Sequence, residues 1–457
     1  RVSFSPGRAP GDRERAAGGR PVAAIHRGGQ DSPPRRPGGG QAGLGGAMNG
    51  ARLAAVALAS TLAIQVYTSL AGTAVAVLAP EIAADLGVPA RWVGGFVGLV
   101  YLGAMMASFV SGAWIARLGA IRVSQTCVAL CAVGIAGVAV SGAGALPIIV
   151  LAAVTLGLGY GPITPASSHV LARTTPASRM NLVFSIKQTG VPAGAALAGA
   201  ALPAFALAAG WRVAFVAVAV LGILVIAAAQ PIRSALDTGR RADAPVALGH
   251  ALSRVRRVMR DPRLAPLAWI SWAYAATQVS LTSFLVVHLT GTLGWSLIAA
   301  GLALSVATAG GVAGRILWGI VADRTRAPYA VLGTIGLVSA ACAVLTALAT
   351  PAWPAIAIYP VVALFGATAI GWNGVQLAEV ARHSPEGEAG AVTGATGVVT
   401  FSGVVAGPPL FGALAALTGS TRSGFVALAL LSAAAAIAFA IIPRRVLTDR
   451  PDDESKR

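Results

Sequence analysis

The chain has 457 residues, 56% of them hydrophobic and 11% charged, and its 34 Lys and Arg outweigh 16 Asp and Glu to give a formal charge of +18. A mean hydropathy of +0.75 excludes an ordinary water-soluble globule, because such a chain would turn far too much apolar surface toward water. The charge does not mark a nucleic-acid binder, since the arginines fall in short loops between apolar runs and form no groove with interleaved aromatics.

Residues 1–47 are dominated by Arg, Pro and Gly, have no hydrophobic periodicity and lack the apolar core of a signal peptide. They are expected to form a disordered tail, with Met48, directly before the first apolar run, as the expected start of translation. Twelve apolar runs follow, near 53–79, 92–115, 121–141, 146–170, 180–207, 211–231, 265–289, 295–320, 329–350, 353–379, 389–417 and 421–442. Each is long enough, at about 20 residues, to cross roughly 30 Å of hydrocarbon as a helix. Their wealth of Gly, Ala, Ser and Thr lets helices approach closely. The expected fold is therefore an all-α membrane protein with twelve transmembrane helices, six in 48–231 and six in 265–442, joined by a linker at 232–264 and followed by a tail at 443–457.

Span one carries Gln65, Tyr67 and Thr68 inside apolar sequence. Cys127, Cys131 and Cys342 fall within spans without metal-ligand or disulfide spacing, and read as small core residues. Span four contains YGPITP, where Pro162 and Pro165 remove two backbone donors and are expected to kink the helix beside Tyr160. Span five carries Lys187, the only lysine besides Lys456, followed by Gln188. The linker sequence VALGHALSRVRRVMRDPRL fits a basic amphipathic helix, with Arg254, Arg256, Arg257 and Arg260, suited to lie on an anionic leaflet. Span seven brings Tyr274 and Gln278, span eight Arg315, and span ten the run GWNGVQLAE with Trp372, Asn373 and Gln376.

Arg117, Arg122, Arg173, Arg179, the linker arginines, Arg324 and Arg326 share one side of the expected topology, against only Arg91, Arg212 and Arg422 on the other. By the positive-inside rule both termini are expected in the cytoplasm, with the chain in a cell (inner) membrane. The halves also repeat. Gln65-Val66 recurs as Gln278-Val279, Pro147 and Gly161 as Pro360 and Gly374, and Gly190, Gly194 and Gly199 as Gly403, Gly407 and Gly412, all at one offset. Gly112 and Arg117 match Gly319 and Arg324 at a smaller one. Two six-helix repeats are the plan of one large class of carriers.

With these features the chain resembles the major facilitator superfamily. The loop GIVADRTR is similar to the family signature G-x-x-x-D-R-x-G-R/K, with Gly319, Asp323 and Arg324 in place and Arg326 where glycine is usual. Its first-half copy, GAWIARLGAIR, keeps Gly112, Arg117, Gly119 and Arg122 but has Ala116 where the family prefers an acid. GVPAGAALAG in span five and GVVAGPPLFG in span eleven resemble a glycine-proline pattern found in exchangers, with altered spacing. The resemblance covers about residues 50–442 and implies alternating-access secondary transport, with spans one, four, seven and ten around a central cavity. It implies gating roles for Gly112, Arg117, Gly319, Asp323 and Arg324. The span-eight arginine also resembles that of the monocarboxylate and oxalate/formate carriers.

An unpaired charge inside hydrocarbon costs about 2.5–3.5 kcal/mol on insertion scales, so Lys187 and Arg315 are the foremost candidates to bind a substrate. The arginine suits bidentate binding of a carboxylate and the lysine supplies a compact charge. The competing structural readings are that Lys187 snorkels to the headgroups and that Arg315 pairs with Glu379. Gln65, Tyr67, Tyr160, Gln188, Tyr274, Gln278, Trp372, Asn373 and Gln376 are candidates to orient the substrate by hydrogen bonds, or to bond neighbouring helices. No acid lies deep in a span: Glu81 and Asp85 sit at one surface, and Asp323 and Glu379 at the other. This favours an anionic or neutral cargo over an organic cation.

His169, at the inner end of span four, and His288, at the outer end of span seven, are candidate carriers of a coupling proton, or else plain surface histidines, and His383 falls in a loop. No phosphate loop, H-E-x-x-H helix or G-x-S-x-G elbow occurs, so neither an enzyme, a cofactor nor a metal is expected. The expectation is a carrier of a small organic anion in the lipid bilayer, working as a monomer. The alternatives are efflux of a neutral or amphiphilic compound, and a non-transporting sensor of the same fold.

Overall fold

A computed structural model describes residues 50–142, 144–175, 183, 186–237, 240, 248–385 and 389–441. The 1–47 tail, the Met48 start, Arg179 and the 443–457 tail lie outside these residues. Among those described, twelve helical segments are long and apolar enough to cross a membrane. Spans 1 to 6 are Gly50–Val77, Ala90–Leu118, Ala120–Ala139, Leu146–Thr174, Ile186–Ala209 and Trp211–Ala229. Spans 7 to 12 are Leu264–Leu293, Leu297–Thr325, Pro328–Leu348, Ala355–Val380, Val392–Thr418 and Thr421–Phe439. Span 7 is the most enclosed, with 83% of its most apolar window buried, because it packs on spans 8, 11 and 12 and on span 1 of the other half.

The two sets of six pack alike. Span 1 lies on span 5, span 2 on span 4 and span 3 on span 6; in the second set span 7 lies on span 11, span 8 on span 10 and span 9 on span 12. The sets meet mainly where span 5 touches span 8 and span 2 touches span 11. Small residues permit these approaches. A Cβ on Gly199 or Gly301 would overlap the other's carbonyl, and one on Gly94 would overlap the carbonyl of Pro408. All of these contacts lie toward the arginine-poor ends of their spans.

The register of the repeat differs from the single-offset reading. Gly157 of span 4 rests on the carbonyl of Val100 in span 2, and its counterpart in span 10 is Gly366, which rests on Ala307 of span 8. Gly374 has open space at its Cβ direction, so it is not the equivalent of Gly161, which presses on Ala104. Likewise Gly190 packs on Gln65 whereas Gly403 packs on Trp272, which makes Trp272, rather than Gln278, the counterpart of Gln65. Loop lengths differ between the halves, so no common offset can hold through all spans. The span-five and span-eleven glycines do occupy matching places.

Two breaks shape the interior. Span 4 divides into Leu146–Tyr160 and Ile163–Thr174 at Gly161-Pro162, where proline supplies no N–H to the preceding turn. Span 10 divides at the matching depth, into Ala355–Ala369 and a helix beginning at Asn373. The linker helix Leu248–Arg260 has two faces, as its sequence requires. Val258 is buried, Val255 and Met259 pack on the core, and Arg256, Arg257 and Arg260 are exposed.

The signature loops differ in their anchoring. Gly119 has φ +93°, and the Asp237 carboxylate presses against it while accepting the N–H groups of Ile121 at 2.7 Å and Arg122 at 3.0 Å. Asp237 thus caps the first turn of span 3 and holds a negative charge at its positive end. It supplies to this loop an acid that Ala116 lacks. In the second copy Arg326 has φ 52°, a left-handed conformation that explains why glycine is the usual residue there. Gly112 and Gly319 meet nothing at their Cβ positions, and Arg117, Asp323 and Arg324 are exposed at the arginine-rich end.

Candidate functional site

Lys187 is 1% exposed. Its Nζ donates to Gln188 Oε1 at 3.2 Å and to Thr164 Oγ1 at 3.4 Å, and the Thr164 hydroxyl also lies 3.4 Å from Gln65 Oε1. The break in span 4 places Thr164 just beyond Pro162 and directs it toward spans 1 and 5. Thr164 is exposed although its neighbours Gln65 and Lys187 are buried, so this end of the cluster borders open space.

Arg315 approaches from span 8, about 15 Å from the helix end at Thr325 given 1.5 Å rise per residue. Its Nε donates to the Ile370 carbonyl at 3.2 Å, and Nη1 to the Gln188 carbonyl at 3.2 Å. The Ile370 carbonyl is available because span 10 breaks immediately after it. Gln188 therefore stands between the two cations, holding Lys187 by its side chain and Arg315 by its backbone. Two of the five guanidinium donors are used, which leaves three for a ligand.

Neither competing structural role holds. The Lys187 ammonium is buried rather than at the surface, and Glu379 pairs with Arg382 on its own helix at 2.9 Å. Among the described residues no carboxylate forms an ion pair with Lys187 or Arg315.

The remaining candidates divide by helix face. Gln278 Oε1 accepts from Trp372 Nε1 at 3.2 Å and from Asn373 Nδ2 at 3.3 Å, which joins spans 7 and 10. Gln278 also lines a small cavity of about 50 Å³ between the halves, together with Tyr101, Tyr160, Thr282, Thr308 and Ile370. Tyr160 stands edge-on to Tyr101, their centroids 5.6 Å apart. Such a cavity admits water but not a solute of several heavy atoms. Gln376 is 3% exposed and its Nε2 has no partner among the described residues.

Tyr67 and Tyr274 are corrections to the expected site. The Tyr67 hydroxyl abuts Gly222 of span 6, and Tyr274 donates to the Leu332 carbonyl of span 9 at 2.7 Å. Both rings turn into their own halves, and neither lines the cavity between them. Of the candidate proton carriers, His288 is fully buried between Thr421 Oγ1, 2.7 Å from Nδ1, and the Thr346 carbonyl, 3.0 Å from Nε2, a structural tie between spans 7, 9 and 12. Thr164, Tyr101 and the Ile370 carbonyl went unforeseen. A hydroxyl between two prolines was the one available signal for Thr164.

The profile described as Major Facilitator Superfamily matches residues 60–408. No curated protein matches the sequence. Among solved structures, a bacterial homolog to the human lysosomal transporter Spinster, inward-facing and occupied, superposes with a TM-score of 0.68 at 17% identity, covering 85% of this chain and 96% of that one. A POT family transporter in complex with 5-aminolevulinic acid gives 0.68 at 13% identity, covering 86% and 96%. The nucleoside transporter NupG gives 0.68 at 13%, covering 85% and 100%. At such identities the likeness is one of fold.

Proposed function

The chain belongs to the major facilitator superfamily, whose members are secondary transporters of small solutes, and from that premise we propose that its cargo is a small organic anion. The observation that carries this reading is the pair of cations flanking Gln188, one of them almost wholly buried, with no carboxylate partner among the described residues. Charges withdrawn from water are retained where something compensates them, and an anionic solute does so here. Arg315 offers its free edge to a carboxylate in two-pronged fashion while Lys187 adds a point charge. Gln65, Tyr160, Gln278 and Asn373 set the pose, and the resemblance of the span-eight arginine to that of the monocarboxylate and oxalate/formate carriers points the same way.

The open space beside Thr164 is the route to this site, and we place it on the cytoplasmic side by the excess of arginine there. Contacts such as Gly94 with Pro408 and Gly199 with Gly301 close the other side. Alternating access then consists of parting spans 2 from 11 and 5 from 8 on that side while the Thr164 side closes.

Reconstitution into proteoliposomes tests the reading. Uptake of labelled organic acids is expected for the wild type and is abolished in Lys187→Ala and in Arg315→Ala. Undiminished uptake of an acid in both variants refutes the proposed site.

A further inference from the structure

A second concave feature lies away from the paired cations. On the arginine-poor side a groove of about 900 Å³ runs between the short helix Ala79–Leu86 that follows span 1, the outer parts of spans 2 and 4, and span 11, walled almost entirely by carbon. Its walls include Ile82, Leu86, Leu99, Leu146, Val405 and Pro409. Leu102, Leu146 and Val150 are each more than a third exposed, so the groove opens sideways to the surroundings of the bundle. In a bilayer those surroundings are acyl chains. An apolar concavity left empty forfeits dispersion contacts along its lining, and water gains nothing there.

The mouth carries a charge. Arg91 and Trp92 lie on the short turn Ala90–Trp92 at the start of span 2, both exposed, and both border the groove. The other two arginines of this side are committed: Arg212 pairs with Asp85 at 2.6 Å, and Arg422 donates to the Ala349 carbonyl at 3.0 Å. Arg91 alone of the three has no partner among the described residues. A tryptophan beside a free guanidinium is the pair of side chains that suits the headgroup level of a membrane.

We propose that this groove is a phospholipid site, with an acyl chain lying along spans 2 and 11 and the phosphate on Arg91. The lipid touches both halves, since Val405, Pro409, Gly412, Ala413 and Ala416 come from span 11 while Ile82, Leu99, Leu146 and the other walls come from the first half. It therefore favours the arrangement in which Gly94 meets Pro408, and its binding and the opening of this side oppose each other. The inference does not depend on the identity of the cargo.

The full chain, purified in detergent, is tested by native mass spectrometry with added phosphatidylglycerol, and by melting temperature with and without that lipid. Gly95 lines the groove and has open space at its Cβ, so Gly95→Leu fills the groove from within. Arg91→Ala removes the cation and leaves the groove. The wild type is expected to retain phosphatidylglycerol and melt higher with it. Gly95→Leu should lose the retained lipid, and Arg91→Ala should bind it at least tenfold more weakly. Lipid retention and lipid-dependent melting equal to wild type in both variants overturn the proposal. So does an equal response to an uncharged detergent of the same chain length, which identifies an unspecific apolar surface.

Discussion

Lys187→Met separates a binding lysine from a structural one, because the two roles move stability in opposite directions. The methionine keeps the length and volume of the side chain and removes the ammonium. Lys187 is 1% exposed, and its ammonium is held by two long hydrogen bonds, of 3.2 and 3.4 Å, with no carboxylate partner among the described residues. Insertion scales place the cost of a lysine in hydrocarbon at about 2.5–3.5 kcal/mol, of which the two bonds return about 1–2 kcal/mol. The variant should therefore be more stable without ligand by about 1 kcal/mol, read as a rise of a degree or more in melting temperature by scanning fluorimetry. At the same time it loses a charge-assisted bond to an anion, so affinity for an acidic substrate falls about tenfold or more. Gain of stability with loss of binding is the mark of a site kept strained for its function. A variant that melts lower than wild type and transports as well would refute the reasoning, since Lys187 would then be a structural member of spans 4 and 5.

Asp237→Ala removes the cap from span 3 and should cost about 1–2 kcal/mol in thermal stability without altering substrate affinity, because its carboxylate serves the Ile121 and Arg122 N–H groups and Arg233, 3.9 Å away, and none of the candidate site residues. Gly366→Ala drives a methyl into the Ala307 carbonyl and should sharply reduce folded yield, whereas Gly374→Ala meets open space and should be tolerated; size-exclusion profiles of the two compare the corrected register of the repeat with the single-offset one. Tyr67→Phe deletes a buried hydroxyl with no hydrogen-bond partner among the described residues and should leave melting unchanged or raised by up to about 1 kcal/mol, with uptake intact. Tyr160→Phe, at the cavity, should leave folding intact while changing KM for the solute.

Much of this was legible in sequence because lipid imposes one simple rule: a span needs enough apolar residues and must satisfy its own backbone. Span 9, expected at 329–350, runs over Pro328–Leu348, and span 6, expected at 211–231, over Trp211–Ala229. Lys187 and Arg315 stood out for the same reason, since a charge in apolar sequence is conspicuous. What the sequence hid was the direction of each side chain. In soluble helices an apolar stripe marks the inner face, but here span 1 is apolar all round, so nothing in it indicated that Tyr67 faces span 6 while Gln65 faces span 5. The Asp237 cap was hidden by distance, its partners lying more than a hundred residues earlier in the chain. The repeat register was hidden by abundance, because 56 glycines offer matches at several offsets.

The central claim is that two withdrawn cations await a negative solute. Melting temperature of the purified wild type against a panel of organic acids, sugars and cationic drugs measures this most directly, since a ligand present at a hundred times its Kd adds about 2.7 kcal/mol of stability. One class of acids should raise the melting temperature of the wild type and leave the Lys187→Met, Arg315→Ala double variant unmoved. Stabilisation by sugars or cations alone, or by an acid equally in the double variant, contradicts it.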